Sequence, residues 1–326
     1  VTLLDQGPSP ATGVTGDSFA WIGNAGGDWP GGARDLREFV LTDFRRLEAE
    51  LSEVTVRWTG SLTWTDAPRD VRPGPGRHVI GRRDVAALEP HLRTPPEQAV
   101  HTPGDAGVDP AAMTEALVNA ACAHGAEVVY GAAVTSLRMA GSLAVGALSA
   151  VGFHPAETVV LAAGTNVTKL SEPLQVDLPV AASPACLMRL TAPPGLVNTI
   201  VACPEFEVRE VRDGHLLLTV PYAGGEPAAS LEQVQQRVLR RLRAAFTGGD
   251  ACLPLGCRIG RRPMPAHGPI VGYAAQDRSV YVAVMHSAIT LAPTVGRLVA
   301  DELVSGKPSA ELRRCRPQGL PRQGNA

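Results

Sequence analysis

Residues 158–164 read Thr-Val-Val-Leu-Ala-Ala-Gly. An unbroken apolar run that ends in small residues suits a strand covered on both faces, and such strands belong to parallel sheets flanked by helices. Three other stretches agree. Residues 109–137 read as a helix and then a strand: Asp109 can cap the helix, Pro110 suits its first position, Gly125 ends it, and Glu127–Tyr130 open the strand. The chain opens on Val-Thr-Leu-Leu, a short strand with Asp5 at its tip. Residues 279–306 read as strand, polar loop and helix, stopped by Gly306.

Strand-rich sequence interrupts this α/β pattern. The alternation over 54–65 predicts a hairpin, and Asp213-Gly214 predicts a second one within 206–222. A helix is expected over 33–51, from apolar residues at helical spacing. Another is expected to start at Ser230, with Gln233 in capping-box spacing. The organisation expected is a discontinuous nucleotide-binding domain over 1–52, 106–176 and 256–310. A mainly antiparallel-sheet domain takes 53–105 and 177–255, and a flexible tail takes 311–326.

The chain has 326 residues, enough for about two domains. Its 30 basic and 32 acidic residues give no electrostatic reason to expect nucleic acid or an anionic membrane as partner. No apolar run of about 18 residues predicts a membrane span, and a cytoplasmic location is the expectation. None of the six cysteines forms a C-x-x-C pair. Cys252 and Cys257 lack a nearby His or second Cys pair, so no metal is expected; the thiols read as buried or free in a reducing compartment.

Several residues carry chemistry of their own. An acid at the end of a second strand can accept hydrogen bonds from ribose hydroxyls, which is one reading of Asp5; an ordinary surface acid is the other. Thr15, Gly16 and Ser18 offer N–H groups and hydroxyls to a phosphate or flavin edge, or form an ordinary loop. Ala163 and Gly164 would let a ligand approach the backbone, or simply allow close packing.

The most specific stretch is 258–303, with Arg262-Pro263, Pro269–Gly272, Val280–Val284, His286-Ser287-Ala288 and Thr290–Pro293. In this order they resemble the C-terminal signature of the D-amino-acid oxidase/glycine oxidase superfamily of FAD-dependent oxidoreductases. Residues 1–7, 18–22, 107–128 and 158–164 also follow that family's order. The resemblance implies a Rossmann-like FAD-binding domain interrupted by a substrate domain. It implies non-covalent FAD, a small amine or amino-acid substrate whose C–N bond is oxidised, and O₂ or an electron carrier as acceptor.

It further implies a helix N-terminus at Ser287, Ala288, Ile289, Thr290 and Leu291 facing the flavin, and Val134 near adenine. Arg262 is the candidate for gripping a substrate carboxylate, with Arg261 as its rival and a solvated or ion-paired arginine as the alternative. His286 stands near the flavin or substrate, or holds the loop. Tyr222 lines the pocket or belongs to the core.

Some positions depart from the family. Ala288 replaces its glycine, and His267 stands where an acid is frequent. The Gly-x-Gly-x-x-Gly expected about 20 residues before Asp5 does not precede it in this chain. The expectation is therefore that about 25 residues of strand, turn and helix are wanting. Thr2–Leu4 should then lack an inner neighbour, and FAD should bind poorly. A truncated chain with a binding or vestigial role is thus one rival reading. An NAD(P) enzyme is another, opposed by the long middle sheet and by His286–Pro293.

Overall fold

A computed structural model describes residues 1–24, 29–65, 74–222, 228–274 and 276–317. The apolar run supplies the strand Val159–Leu161, which lies parallel to Val280–Val284. Ile270–Tyr273 pairs antiparallel on the other side of Val280–Val284. The helix Ala288–Ser305 follows, and Gly306 ends it in the left-handed conformation at φ +69°. Leu291, Val295 and Leu298 of that helix share a core with Leu36, Val40 and Phe44.

The opening strand Thr2–Leu4 runs parallel to Glu127–Val129. Asp109 caps the helix Pro110–Ala123, accepting the N–H groups of Ala111 and Ala112 at 3.0 and 3.3 Å. Among the described residues, Thr2–Leu4 and Val159–Leu161 each pair along one side only and stand in separate sheets. Leu3 and Val160 are each 42% exposed. A third small sheet, Val134–Ala140, Leu143–Ser149 and Gly152–Pro155, was not expected. Gly141 and Gly152 turn it at positive φ, and Leu137 and Ala144 pack it onto Leu161 and Val282.

An eight-stranded sheet forms the other layer. Its order is Leu253–Pro265, Val180–Thr191, His215–Val220, Glu207–Arg212, Ile200–Ala202, Ser61–Thr63, Gln98–Thr102, His78–Gly81. The hairpin at Asp213-Gly214 forms as expected, with Gly214 at φ +73°.

The hairpin expected over 54–65 does not form. Val56–Arg57 pairs with Ala106–Val108, in a sheet that also holds Trp21–Ile22, whereas Ser61–Thr63 joins the large sheet. Gly60, at φ +71°, makes the corner between them. Its N–H donates to the Asp105 carbonyl and its own carbonyl accepts from Ile200 N–H. Alternation was satisfied in each half, but by different partners.

Other boundaries shift as well. The helix expected over 33–51 is two, Ala33–Arg37 and Val40–Glu50. The helix Ala228–Ala245 begins before Ser230. Leu253–Pro265 lies wholly in the large sheet, so a boundary at 256 falls inside a strand. Residues 311–317 are packed rather than frayed: Leu312 and Cys315 are buried, and Arg316 pairs with Glu302, which also accepts from Tyr281 Oη at 2.5 Å. Residues 318–326 lie outside the described residues.

Arg209 fastens the large sheet to the α/β part. It is 2% exposed; its Nε donates to the Phe19 carbonyl at 2.7 Å and its Nη2 to the Val108 carbonyl at 2.6 Å. Burial lowers its pKa to about 9. Arg57 adds an ion pair to Glu210 at 2.9 Å.

Candidate active-site cleft

Between the large sheet and the α/β part lies a cleft of about 890 Å³. Its floor is the loop from Val284 into the helix at Ala288, together with Gly164 at the end of the first apolar strand. Ser287 sits in the left-handed conformation at φ +57° and makes no side-chain cap. A non-glycine residue held there marks a backbone over-determined by its surroundings. The first N–H groups of the helix have no intrahelical partner to donate to, so a helix start entering a cleft suits an electron-rich ligand edge. A Cβ built on Gly164, at φ +58°, would meet nothing within 4 Å, so the backbone is open to a ligand there.

The structure brings many of the expected residues together. Thr15, Ser18, Gly164, Tyr222, Arg262, His286, Ser287, Ala288, Ile289 and Thr290 all line the cleft. Thr290 Oγ1 donates to the Trp21 carbonyl at 2.8 Å, tying the helix start to the wall.

Others do not line it. Asp5 Oδ1 accepts Gly7 N–H at 2.6 Å, shaping the turn after the first strand. Gly16 is buried and its carbonyl accepts from Arg189. Val134 packs on the cluster around Leu161, and Leu291 is core. Ala163 is exposed beside the cleft-lining Ala162 and Gly164. Arg261 is exposed and neighbours Arg262 on the same strand, so alternation sends the two side chains to opposite faces.

The cleft also holds charged groups that sequence reading did not single out. Asp105 is 4% exposed; its Oδ2 accepts Trp21 Nε1 at 2.9 Å and Ser61 Oγ at 2.7 Å. Burial raises its pKa, opposed by those two hydrogen bonds and by Arg77 and Arg37. Arg37 lies against the Trp29 ring at 3.3 Å and donates to the Gly23 carbonyl at 2.5 Å. Burial lowers its pKa to about 10, with Asp105 acting the other way. Arg262 donates to Ser183 Oγ at 3.0 Å. Glu207 has its pKa raised by burial, against the pull of Arg262. His286 has its pKa lowered by burial first, then by Arg262 and Arg37. No local signal marks Arg37, Arg77 or Asp105, because only the fold brings them to one place.

Residues 1–302 match the model for the FAD dependent oxidoreductase (DAO) family. The chain belongs to that family. A D-amino acid dehydrogenase of Paramagnetospirillum magneticum is 29% identical over 244 residues, which is 70% of this chain and 56% of that protein. A D-amino acid dehydrogenase of Bradyrhizobium diazoefficiens is 26% identical over 247 residues, covering 72% of this chain and 58% of that one. This DAO chain thus spans somewhat more than half the length of these curated relatives.

Among solved structures, glycine oxidase from Geobacillus kaustophilus superposes with TM-score 0.84 at 20% identity, covering 98% of this chain and 92% of that one. L-proline dehydrogenase from P. horikoshii superposes with TM-score 0.82 at 16% identity, covering 97% and 90%. These likenesses establish the DAO fold, with its Rossmann-like domain and its second, sheet-rich layer.

Proposed function

We propose that the chain oxidises the C–N bond of a carboxylate-bearing amine or amino acid, using non-covalently held FAD. The observation that carries this reading is the meeting of Arg262, Arg37 and Arg77 in one cleft with His286. Family membership and the amino-acid dehydrogenase relatives support it. The open backbone at Gly164 and the uncapped helix start at Ser287 suit a flavin edge. When bound, FAD supplies the two-electron acceptor, to be reoxidised by O₂ or an electron carrier.

The chain's own residues have separate tasks. A planar guanidinium binds a carboxylate bidentately, and Ser183 steadies that of Arg262. Hydride removal needs a neutral amine. Burial and two neighbouring cations lower the His286 pKa and favour its neutral form, which can hydrogen-bond the substrate without adding charge to the cleft. Trp21, Phe19, Phe206 and Tyr222 line the cleft and exclude water from the reacting carbon.

The test is anaerobic titration of FAD-reconstituted protein with glycine, D- and L-amino acids, N-methyl amino acids and amines without a carboxylate. Carboxylate-bearing members should bleach the flavin visible band, and simple amines should not. A flavin-loaded protein that none of them bleaches overturns the reading.

A further inference from the structure

The sulfurs of Cys186 and Cys257 lie 2.8 Å apart. Sequence reading left these thiols as buried or free, since the six cysteines form no C-x-x-C pair, and 71 residues separate the two. The fold places them on neighbouring antiparallel strands, Val180–Thr191 and Leu253–Pro265. Cys186 stands opposite Ile259 and Cys257 opposite Met188, so the two thiols are diagonal partners in the ladder. Their separation is about 0.8 Å longer than a disulfide bond. Among the described residues, no other sulfur–sulfur contact is formed.

The two thiols differ in access. Cys186 is 3% exposed overall yet lines the cleft. Either sulfur can donate the hydrogen bond that joins them, and the one that accepts it is favoured as thiolate. The thiolate is the nucleophile in oxidation and in exchange. Cys186 borders the cleft although it is buried, and Cys257, on the outermost strand of the sheet, is the more exposed of the two, so either sulfur can meet an oxidant first.

We propose that Cys186 and Cys257 are a reversible thiol–disulfide pair in the cleft wall, oxidised by a hydroperoxide. One sulfur of the pair attacks one peroxide oxygen; an S–O bond forms, the O–O bond breaks and one water leaves. The other sulfur then attacks the first, the S–O bond breaks and the second water leaves. Two thiols and one hydrogen peroxide become one disulfide and two waters, with both sulfurs oxidised and both peroxide oxygens reduced. A dithiol reverses the change by exchange.

The pair sits where such a bond matters to the cleft. The same two strands grip the loop that carries Thr15 and Ser18: Arg189 donates to the Gly16 carbonyl, and Arg258 lies 4.0 Å from Asp17. Val14 packs so closely that a Cβ on Gly260 would lie 2.9 Å from it.

The experiment treats the purified chain, with and without added FAD, with dilute hydrogen peroxide, then maps cysteine peptides without reduction. The expected product is a Cys186–Cys257 cross-linked peptide. Titratable thiols in denaturant should fall by the two of the pair, from six to four, and dithiothreitol should restore them. C186S and C257S should each abolish the cross-link. The wild-type peptide map stands even if a variant misfolds. Six thiols retained, or linkage confined to other cysteines, overturns the proposal. Because the map is read without flavin as well as with it, its outcome is separable from that of the substrate titration.

Discussion

Arg262 and Arg261 sit side by side in the chain, and only one of them lines the cleft. Arg262→Leu should raise KM for a carboxylate-bearing substrate, a loss of about 2–4 kcal/mol of transition-state binding, with the flavin spectrum unchanged. Arg261→Leu should leave both unchanged. Steady-state kinetics on the two variants checks this, and equal effects would remove Arg262 from the site. Asp105 makes a prediction about pH. Its folded pKa lies above 3.8, so its protonated form favours the folded state. That contribution is fully present below 3.8 and is lost as pH rises through the folded value. Asp105→Asn keeps an acceptor for Trp21 and Ser61 without the charge. The variant's melting temperature should therefore gain on wild type as pH climbs through that window. A pH-independent difference would mean that Asp105 titrates normally. At this scale the sequence was partly legible. His286, Ser287 and Thr290 could be found because they fall in one ordered motif. Arg37, Arg77 and Asp105 could not, since they come from separate elements and gain meaning only when a sheet and a helix close around them.

Elements were legible where local physics decides them. The helix at Pro110 carries its own cap and the turn at Asp213-Gly214 carries its own glycine; the apolar run at Val159 forms the parallel pairing expected, but with Val160 exposed it is not covered on both faces. The segment 54–65 failed because alternation says that a strand has two faces and not which strand lies beside it. The left-handed residues at the cleft floor give further tests. Ser287→Gly removes the Cβ penalty at φ +57° and should leave stability unchanged or raise it by up to about 1 kcal/mol. Gly164→Ala adds a penalty of about 1–2 kcal/mol at φ +58° and projects a methyl into space that a ligand would use. It should weaken FAD binding beyond its effect on stability. Thermal melts with and without FAD separate the two contributions, and an unaltered FAD-induced shift in Gly164→Ala would count against a ligand there.

The two layers of the molecule meet through a charged residue. Arg209→Leu would leave the Phe19 and Val108 carbonyls buried without a donor, at about 1–3 kcal/mol each. Denaturant unfolding should show a fall of several kcal/mol. A loss below about 1 kcal/mol would mean that the layers hold together without it. That connection was invisible in the sequence, because a single Arg in an alternating strand reads as solvent-facing. The outer strand of the large sheet has a different consequence. Leu253–Pro265 pairs on one side with Val180–Thr191 and ends the sheet on the other, and Leu253, Leu255 and Ile259 along it are 58%, 59% and 44% exposed. A long apolar edge is a template for another chain, and what stands against it here is Pro254, which offers no N–H, and the exposed cations Arg258 and Arg261. Repulsion between such cations weakens as the Debye length shrinks from about 10 Å at 0.1 M salt to about 3 Å at 1 M. Concentrated stocks of this protein should therefore keep best in dilute buffer and turn hazy as salt is added.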